Sequence, residues 1–272
     1  MNPRNAAVFD AARRNGRAAL IGYLPAGFPT VDGSIELIQA LFEGGVDIVE
    51  VGLPYSDPLM DGPAIQQAVE IALSAGVTTT DVMRVVEGVD PKADQAVVVM
   101  SYWNPIERYG QRRFADHLSQ AGGTGVITPD LTPEEASEWM EATASADVDR
   151  TFLVAPSSTE ARLDTVTRAC TGFVYAASTM GVTGARDQVS SSAPTLVSRV
   201  RAHTQAPIGV GLGVSSAQQA ADIAGYADGV IVGSAFVRRI LDAPDIVAAR
   251  ESVRGFAAEL AEGVRRPARR VD

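Results

Sequence analysis

AALIGYLPAGFPT, residues 18–30, opens as a strand and then turns sharply. Its first seven residues are almost continuously apolar, which marks a strand covered on both faces, as in a parallel sheet. An open doubly wound sheet follows its first strand with GxGxxG, a glycine turn that lets the backbone approach a pyrophosphate. Here the turn reads PAGFPT. The same kind of run recurs as DIVEVGL at 47, QAVVVMSY at 95, GVITPD at 125, TFLVAP at 151, FVYAAS at 173, PIGVGLG at 207 and GVIVGS at 229. Amphipathic segments such as SIELIQALFEGG and AIQQAVEIALSAG fill the intervals with helical periodicity. Eight βα units in a chain of 272 residues predict a single-domain (β/α)8 TIM barrel, fronted by an extra helix over residues 6–15. No low-complexity linker divides the chain, so one domain is expected over 1–272, with a disordered tail from about 263.

Composition narrows the function classes. Forty-six per cent of the residues are apolar, enough for a large core, and no run of 18 apolar residues suggests a membrane span. The N-terminus lacks the apolar stretch of a signal peptide, so a cytoplasmic location is expected. A formal charge of −10 opposes nucleic-acid binding, which needs a basic face to neutralise phosphates. The ending RRPARR is short and terminal, and reads as a solvated tail. With only His117 and His203, a histidine metal site is not expected, and the lone Cys170 reads as an inert core thiol.

Glu50 is the anomaly. It lies inside a strand of β-formers, where side chains alternate: Ile48, Glu50 and Gly52 share one side, and Val49, Val51 and Leu53 the other. If the first set points inward, Glu50 stands near the C-terminal mouth, where enzymes of this fold do their chemistry. Desolvation there raises a carboxyl's pKa and suits it to both donate and accept a proton near neutrality. The alternative is a structural carboxylate satisfied by an arginine or a backbone amide. Asp61, eleven residues on, lies in the following loop, within reach of the same pocket or merely capping a helix that starts at Pro63. Asp57, in SDP, is open to the same two readings, a residue of the pocket or only a turn residue.

A second signal sits at the other end of the chain. Gly211 and Gly213 follow the seventh strand, and Gly233 and Ser234 follow the eighth, ahead of the short segment AFVRRI. Glycine turns and a short helix N-terminus at these positions are where this fold holds phosphate, although each pair taken alone is also a common tight turn. After the sixth strand, residues 178–194 are rich in Gly, Ser and Thr, which predicts a mobile lid with Thr183 and Gly184 at its base, or else a surface loop. The only lysine, Lys92, precedes the third strand and so lies on the opposite face, leaving a Schiff-base mechanism without a nucleophile. Acid–base chemistry on a small phosphorylated substrate remains, with Tyr102 and Tyr175 at strand ends as further candidates or as core.

The run EVGLPYSDPLMDGPAIQQA (50–68) closely resembles the signature segment of the tryptophan synthase alpha chain family. The similarity continues through LPAGFP, SYWNP, PDLTPEE, GFVYAASTMGVTGAR, GVGLGVSS and GVIVGSAFV, and so spans nearly the whole chain. The resemblance implies retro-aldol cleavage of indole-3-glycerol phosphate to indole and glyceraldehyde 3-phosphate, without metal or organic cofactor. It implies Glu50 as acid–base catalyst, Asp61 as support for the indole N–H, and Tyr175 beside them. Tyr23, Met100, Tyr102, Ile127, Leu153, Thr183 and Leu212 would contact the substrate, and Gly184, Gly213, Gly233 and Ser234 its phosphate. It further implies a partner, the pyridoxal-phosphate-bearing beta chain, in an alpha2beta2 assembly that receives the indole through a tunnel, touched through Asp57, Pro58, Asn104 and Asp130. Departures are mild: Tyr23 and Leu212 stand where phenylalanine is common, and STMG replaces an arginine-containing SRAG. Two other readings compete: a silent subunit that only activates its partner, and another phosphate-binding barrel such as an isomerase or the synthase of indole-3-glycerol phosphate. Intact Glu50 and Asp61 oppose the first, and the missing mouth lysine opposes that synthase.

Overall fold

The structure, a computed structural model, describes residues 1–177, 192–211 and 213–265. Nine parallel strands lie among them: β1 (Ala19–Pro25), β2 (Ile48–Gly52), β3 (Ala96–Met100), β4 (Gly125–Ile127), β5 (Asp149–Thr151), β6 (Leu153–Val154), β7 (Val174–Ala177), β8 (Ile208–Gly211) and β9 (Gly229–Val232). They form one sheet in the order β5-β4-β3-β2-β1-β9-β8-β7-β6. The end strands β5 and β6 are pieces of one chain segment separated by Phe152 alone, so the ladder closes on itself. The result is the expected barrel of eight strand positions. Its fifth strand is broken and begins at Asp149, earlier than the apolar run at 151 suggested.

The alternation of each strand sorts its residues between two cores. Ala19, Ile21, Ile48, Ala96, Val98, Ile127, Phe173 and Ile231 meet inside the barrel. Leu20, Val49, Val51, Val97, Val99, Val126, Val174, Val210 and Val230 face outward into the helical shell. Strands dry on both faces read as continuous β-branched runs, and that is why they were visible in the sequence. Burying each such side chain is worth about 1.5–3 kcal/mol relative to leaving it exposed.

Helix starts follow local chemistry. Thr30 caps α2 (Val31–Glu43) through the Gly33 amide, and Thr78 with Asp81 forms a capping box on α4 (Thr79–Gly88). The extra helix α1 is Pro3–Arg14, starting three residues before the expected span, because Asn2 caps it and Pro3 occupies its first turn. It plugs the barrel floor with Val8, Phe9 and Ala12.

Three aspartates at strand starts fasten that floor. Asp47 accepts from the Leu20 amide at 2.8 Å and from both terminal nitrogens of Arg17 at 2.6 and 2.8 Å. Asp149 accepts from the Asn2 amide and the Asn5 side chain, each at 2.8 Å. Asp228 accepts from the Ile208 amide at 2.9 Å and pairs with Arg201. Lys92 stands on this face, in the loop leading into β3.

The last helix, α12 (Ile246–Arg265), packs on α2 and on α10 (Ala217–Ala224), and it continues past residue 263 with Val264 buried. The Cys170 sulfur accepts from the Phe152 amide at 3.3 Å, and burial pushes its thiol up to about 12. Among the described residues no helix is long and apolar enough to cross a membrane.

Candidate active site

β2 delivers Glu50 to the barrel interior. It is paired in register with Tyr23 of β1 and Val98 of β3, on the same side as Ile48 of the inner core. The side chain is 1% exposed. Its Oε1 has no hydrogen-bond partner among the described residues, so neither an arginine nor an amide satisfies that oxygen. A buried carboxylate with an oxygen that no donor reaches is costly as an anion, and burial pushes Glu50 up to about 8. The group is therefore protonated at neutrality and still able to ionise.

Asp61 reaches the same mouth from the loop after β2. It does not cap the next helix: α3 (Pro63–Ser74) has Gly62 at its N-cap position, without a side-chain cap. Tyr102, just beyond β3, donates to Asp61 Oδ1 at 3.3 Å. The same hydroxyl accepts from the amides of Leu59 (3.2 Å) and Met60 (3.0 Å), and Gln66 holds the Asp61 carbonyl at 2.7 Å. Tyr102, expected as a substrate contact, is in the structure the latch that ties this loop to the end of β3. Burial raises Asp61 while the Tyr102 hydrogen bond opposes the rise, and burial drives Tyr102 up to about 12.

Two more phenols border the pair. Tyr175 of β7 is driven well above its usual range, first by burial and then by the charges of Glu50 and Asp61. Its hydroxyl occupies the space a Cβ on Gly211 would need, and the ring of Tyr23 likewise fills the space above Gly52. Glycine at these inward positions makes room for the rings. Ile127 belongs to the inner core, and Met100 and Leu153 pack against it. Leu212, Thr183 and Gly184 lie outside the described residues.

At the C-terminal ends of β8 and β9, on the same mouth of the barrel, is a polar rim. Gly213 has φ +69°, the left-handed region that favours glycine. Gly233 precedes α11 (Ser234–Leu241) with no side-chain cap, and Ser234 is buried at its first position. The first amides of a helix lack intrahelical acceptors and point toward an anion.

Three adjacent loops carry the residues expected at a partner interface. Asn104 donates to the Tyr55 hydroxyl at 3.2 Å, and Asp130 accepts from the Trp103 amide at 2.9 and 3.1 Å, so the loops after β2, β3 and β4 are tied together. Asp57, Asn104 and Asp130 are exposed, Pro58 partly so, and Leu59 beside them is 70% exposed. Sequence reasoning missed Leu59, Tyr55 and Gln66. Their only signal was membership in the loop segments, since their contacts join residues about 40 or more apart or are ordinary at close range.

A family model described as tryptophan synthase alpha chain matches residues 9–265. The tryptophan synthase alpha chain of Thermobifida fusca is 59% identical over 261 residues, covering 95% of this chain and 96% of its own. That of Nocardia farcinica is 59% identical over 262 residues, covering 96% of each. Among solved structures, a chain of Mycobacterium tuberculosis tryptophan synthase superposes with a TM-score of 0.90 at 54% identity, covering 97% of this chain and 99% of that one. A Legionella pneumophila tryptophan synthase alpha chain retains a TM-score of 0.86 at 27% identity. An inward glutamate with an oxygen that lacks a donor among the described residues, and an aspartate held by Tyr102 in the loop after the same strand, are thus set in a chain that aligns with these proteins over 95% of its length or more, and it belongs to the tryptophan synthase alpha chain family.

Proposed function

We infer that the reaction of this tryptophan synthase alpha chain, lyase cleavage of indole-3-glycerol phosphate to indole and glyceraldehyde 3-phosphate, runs on Glu50 and Asp61 as two carboxyls held in opposite charge states. The observation that carries this reading is the buried, unpartnered Oε1 of Glu50 at the mouth. Neutral Glu50 gives its proton to C3 of the indole, and the ring becomes an indoleninium cation. The resulting carboxylate then removes the proton of the hydroxyl on the adjacent side-chain carbon. The O–H electrons form the aldehyde C=O, the C3–carbon bond breaks, and its electrons restore the neutral indole. Glu50 ends protonated, ready for another turnover.

Asp61, ionised, accepts the indole N1–H and stabilises the cation where water is largely excluded. Its loop setting, more solvated than that of Glu50, supports this division of charge. Tyr175 borders the pair, and Tyr23, Met100, Ile127 and Leu153 enclose the ring. The amides and hydroxyl near Gly213, Gly233 and Ser234 hold the phosphate, with Thr183, Gly184 and Leu212 completing the cavity as the family resemblance implies. The chemistry needs no cofactor of this chain's own.

The partner is a tryptophan synthase beta chain, with two copies of each chain in the assembly and pyridoxal phosphate on the beta side. Asp57, Pro58, Asn104 and Asp130 meet it, in the cytoplasm. The test is indole production from indole-3-glycerol phosphate by the purified chain, alone and with a beta chain. Indole release that rises on adding the beta chain supports the reading, and none in either condition rejects it in favour of a silent subunit.

A further inference from the structure

Tyr102 gathers three hydrogen bonds at one oxygen, more than a place in the substrate wall requires. It is 4% exposed, at the N-cap position of α5 (Trp103–Tyr109). Its oxygen accepts from the Leu59 amide at 3.2 Å and from the Met60 amide at 3.0 Å, and its proton goes to Asp61 Oδ1 at 3.3 Å. A backbone N–H can only donate, so these two neighbours fix the direction of the third bond. With its lone pairs taken, the phenol has only its proton left to give. Oδ1 must therefore accept, which it does most strongly when Asp61 is ionised.

The two oxygens of Asp61 are thereby told apart. Oδ1 belongs to Tyr102, whereas Oδ2 makes no hydrogen bond among the described residues and, unlike Glu50 Oε1, is not sealed from solvent. The main chain of the residue is held independently, by the Gln66 side chain on its carbonyl at 2.7 Å. An anchored backbone and one anchored oxygen leave the second oxygen as the one free to accept the indole N–H.

We propose that Tyr102 is a positioning residue for Asp61: its hydroxyl, locked as a donor by the amides of Leu59 and Met60, holds Oδ1 and presents a charged Oδ2 to the indole N–H. The inference rests on the assignment of Asp61 above. Burial raises Asp61 and the Tyr102 hydrogen bond opposes the rise, as a donor to the charged form does. The other titratable groups at this mouth are Tyr23 of β1, Glu50 of β2 and Tyr175 of β7. Asp57, on the same loop as Asp61, is exposed and accepts from the Ser56 hydroxyl at 2.6 Å. Burial keeps both phenols neutral and Glu50 protonated in the acid range, so Glu50 governs the basic limb of the rate profile and Asp61 the acidic one.

The experiment follows kcat/KM for indole release against pH, in complex with a beta chain, for the wild type, for Tyr102→Phe and for a chain with 3-fluorotyrosine in place of Tyr102. The substrate phosphate titrates alike in all three and cancels in the comparison. Tyr102→Phe removes a donor to the charged form, so the acidic limb moves upward by on the order of one pH unit, with the basic limb in place. Fluorine makes the phenol a stronger donor of nearly the same shape and leaves the loop its staple, so the acidic limb moves downward. The carboxyl carbon of Asp61, titrated by NMR in the same proteins, moves in the same directions without recourse to activity. A drop in rate with the limb and the NMR titration unmoved in both variants would reduce Tyr102 to a staple of the loop and overturn the proposal. Failure of the underlying assignment shows separately, as normal indole release by Asp61→Asn, while the NMR titration still reads the Tyr102 contact.

Discussion

Glu50 concentrates two consequences of burial in one side chain. Replacing it by Gln keeps its shape and removes the transferable proton. Indole release by Glu50→Gln should fall by about 10²–10⁴-fold or more while glycerol phosphate still binds, and near-normal turnover would dismiss the assignment. The same burial predicts a pH-dependent stability. The carboxyl titrates near 4.5 ordinarily and near 8 in the folded chain, so between these values the unfolded chain loses a proton that the native chain keeps. Stability contributed by neutral Glu50 is full below about 4.5 and is lost as pH rises toward 8. Glu50→Gln has no such loss. Its thermal stability should therefore overtake that of wild type progressively across this window, by on the order of a few kcal/mol at the upper end. Melting curves at acid and mildly alkaline pH decide it: a constant offset would mean that Glu50 is not desolvated.

At the scale of elements, α11 and α1 act at opposite ends of the barrel. Ser234 begins α11, where the phosphate is proposed to bind, and Ser234→Ala removes one donor while leaving a good helix former in place. Titration calorimetry with glycerol phosphate should show affinity weakened about three- to tenfold, and equal affinities would move the phosphate elsewhere. α1 is held by Asp149, which accepts from the Asn2 amide and the Asn5 side chain. In Asp149→Ala both donors lose this acceptor, at a cost of about 1–3 kcal/mol. Amide exchange in α1 should accelerate while indole release, at the far end of the barrel, changes little. Unaltered exchange would show that apolar packing alone holds the plug. Neither aspartate pairing nor Tyr102 latching has a local pattern: Asn5 and Asp149 are 144 residues apart, and Tyr102 and Asp61 are 41 apart.

Across the whole molecule, the loops after β2, β3 and β4 present one face beside the mouth, with Leu59 its most exposed large apolar side chain. Leu59→Ser should weaken assembly with a beta chain, seen as a smaller complex in light scattering at micromolar concentration, with the isolated chain's melting unchanged. Undiminished assembly would place the contact elsewhere. Much of this molecule was legible along the chain, because strands buried on both faces must be written as apolar β-branched runs, and an acid placed in one of them stands out. The repeat of those runs, the helices between them and the candidacy of Glu50 and Asp61 were determined by sequence alone. Only the tertiary structure decided that the fifth strand breaks at Phe152, that Tyr102 rather than a helix cap holds Asp61, and that the ring of Tyr23 lies in the space left by Gly52. These outcomes depend on which distant side chains share a few ångströms of low-dielectric space, and closing the barrel creates that space.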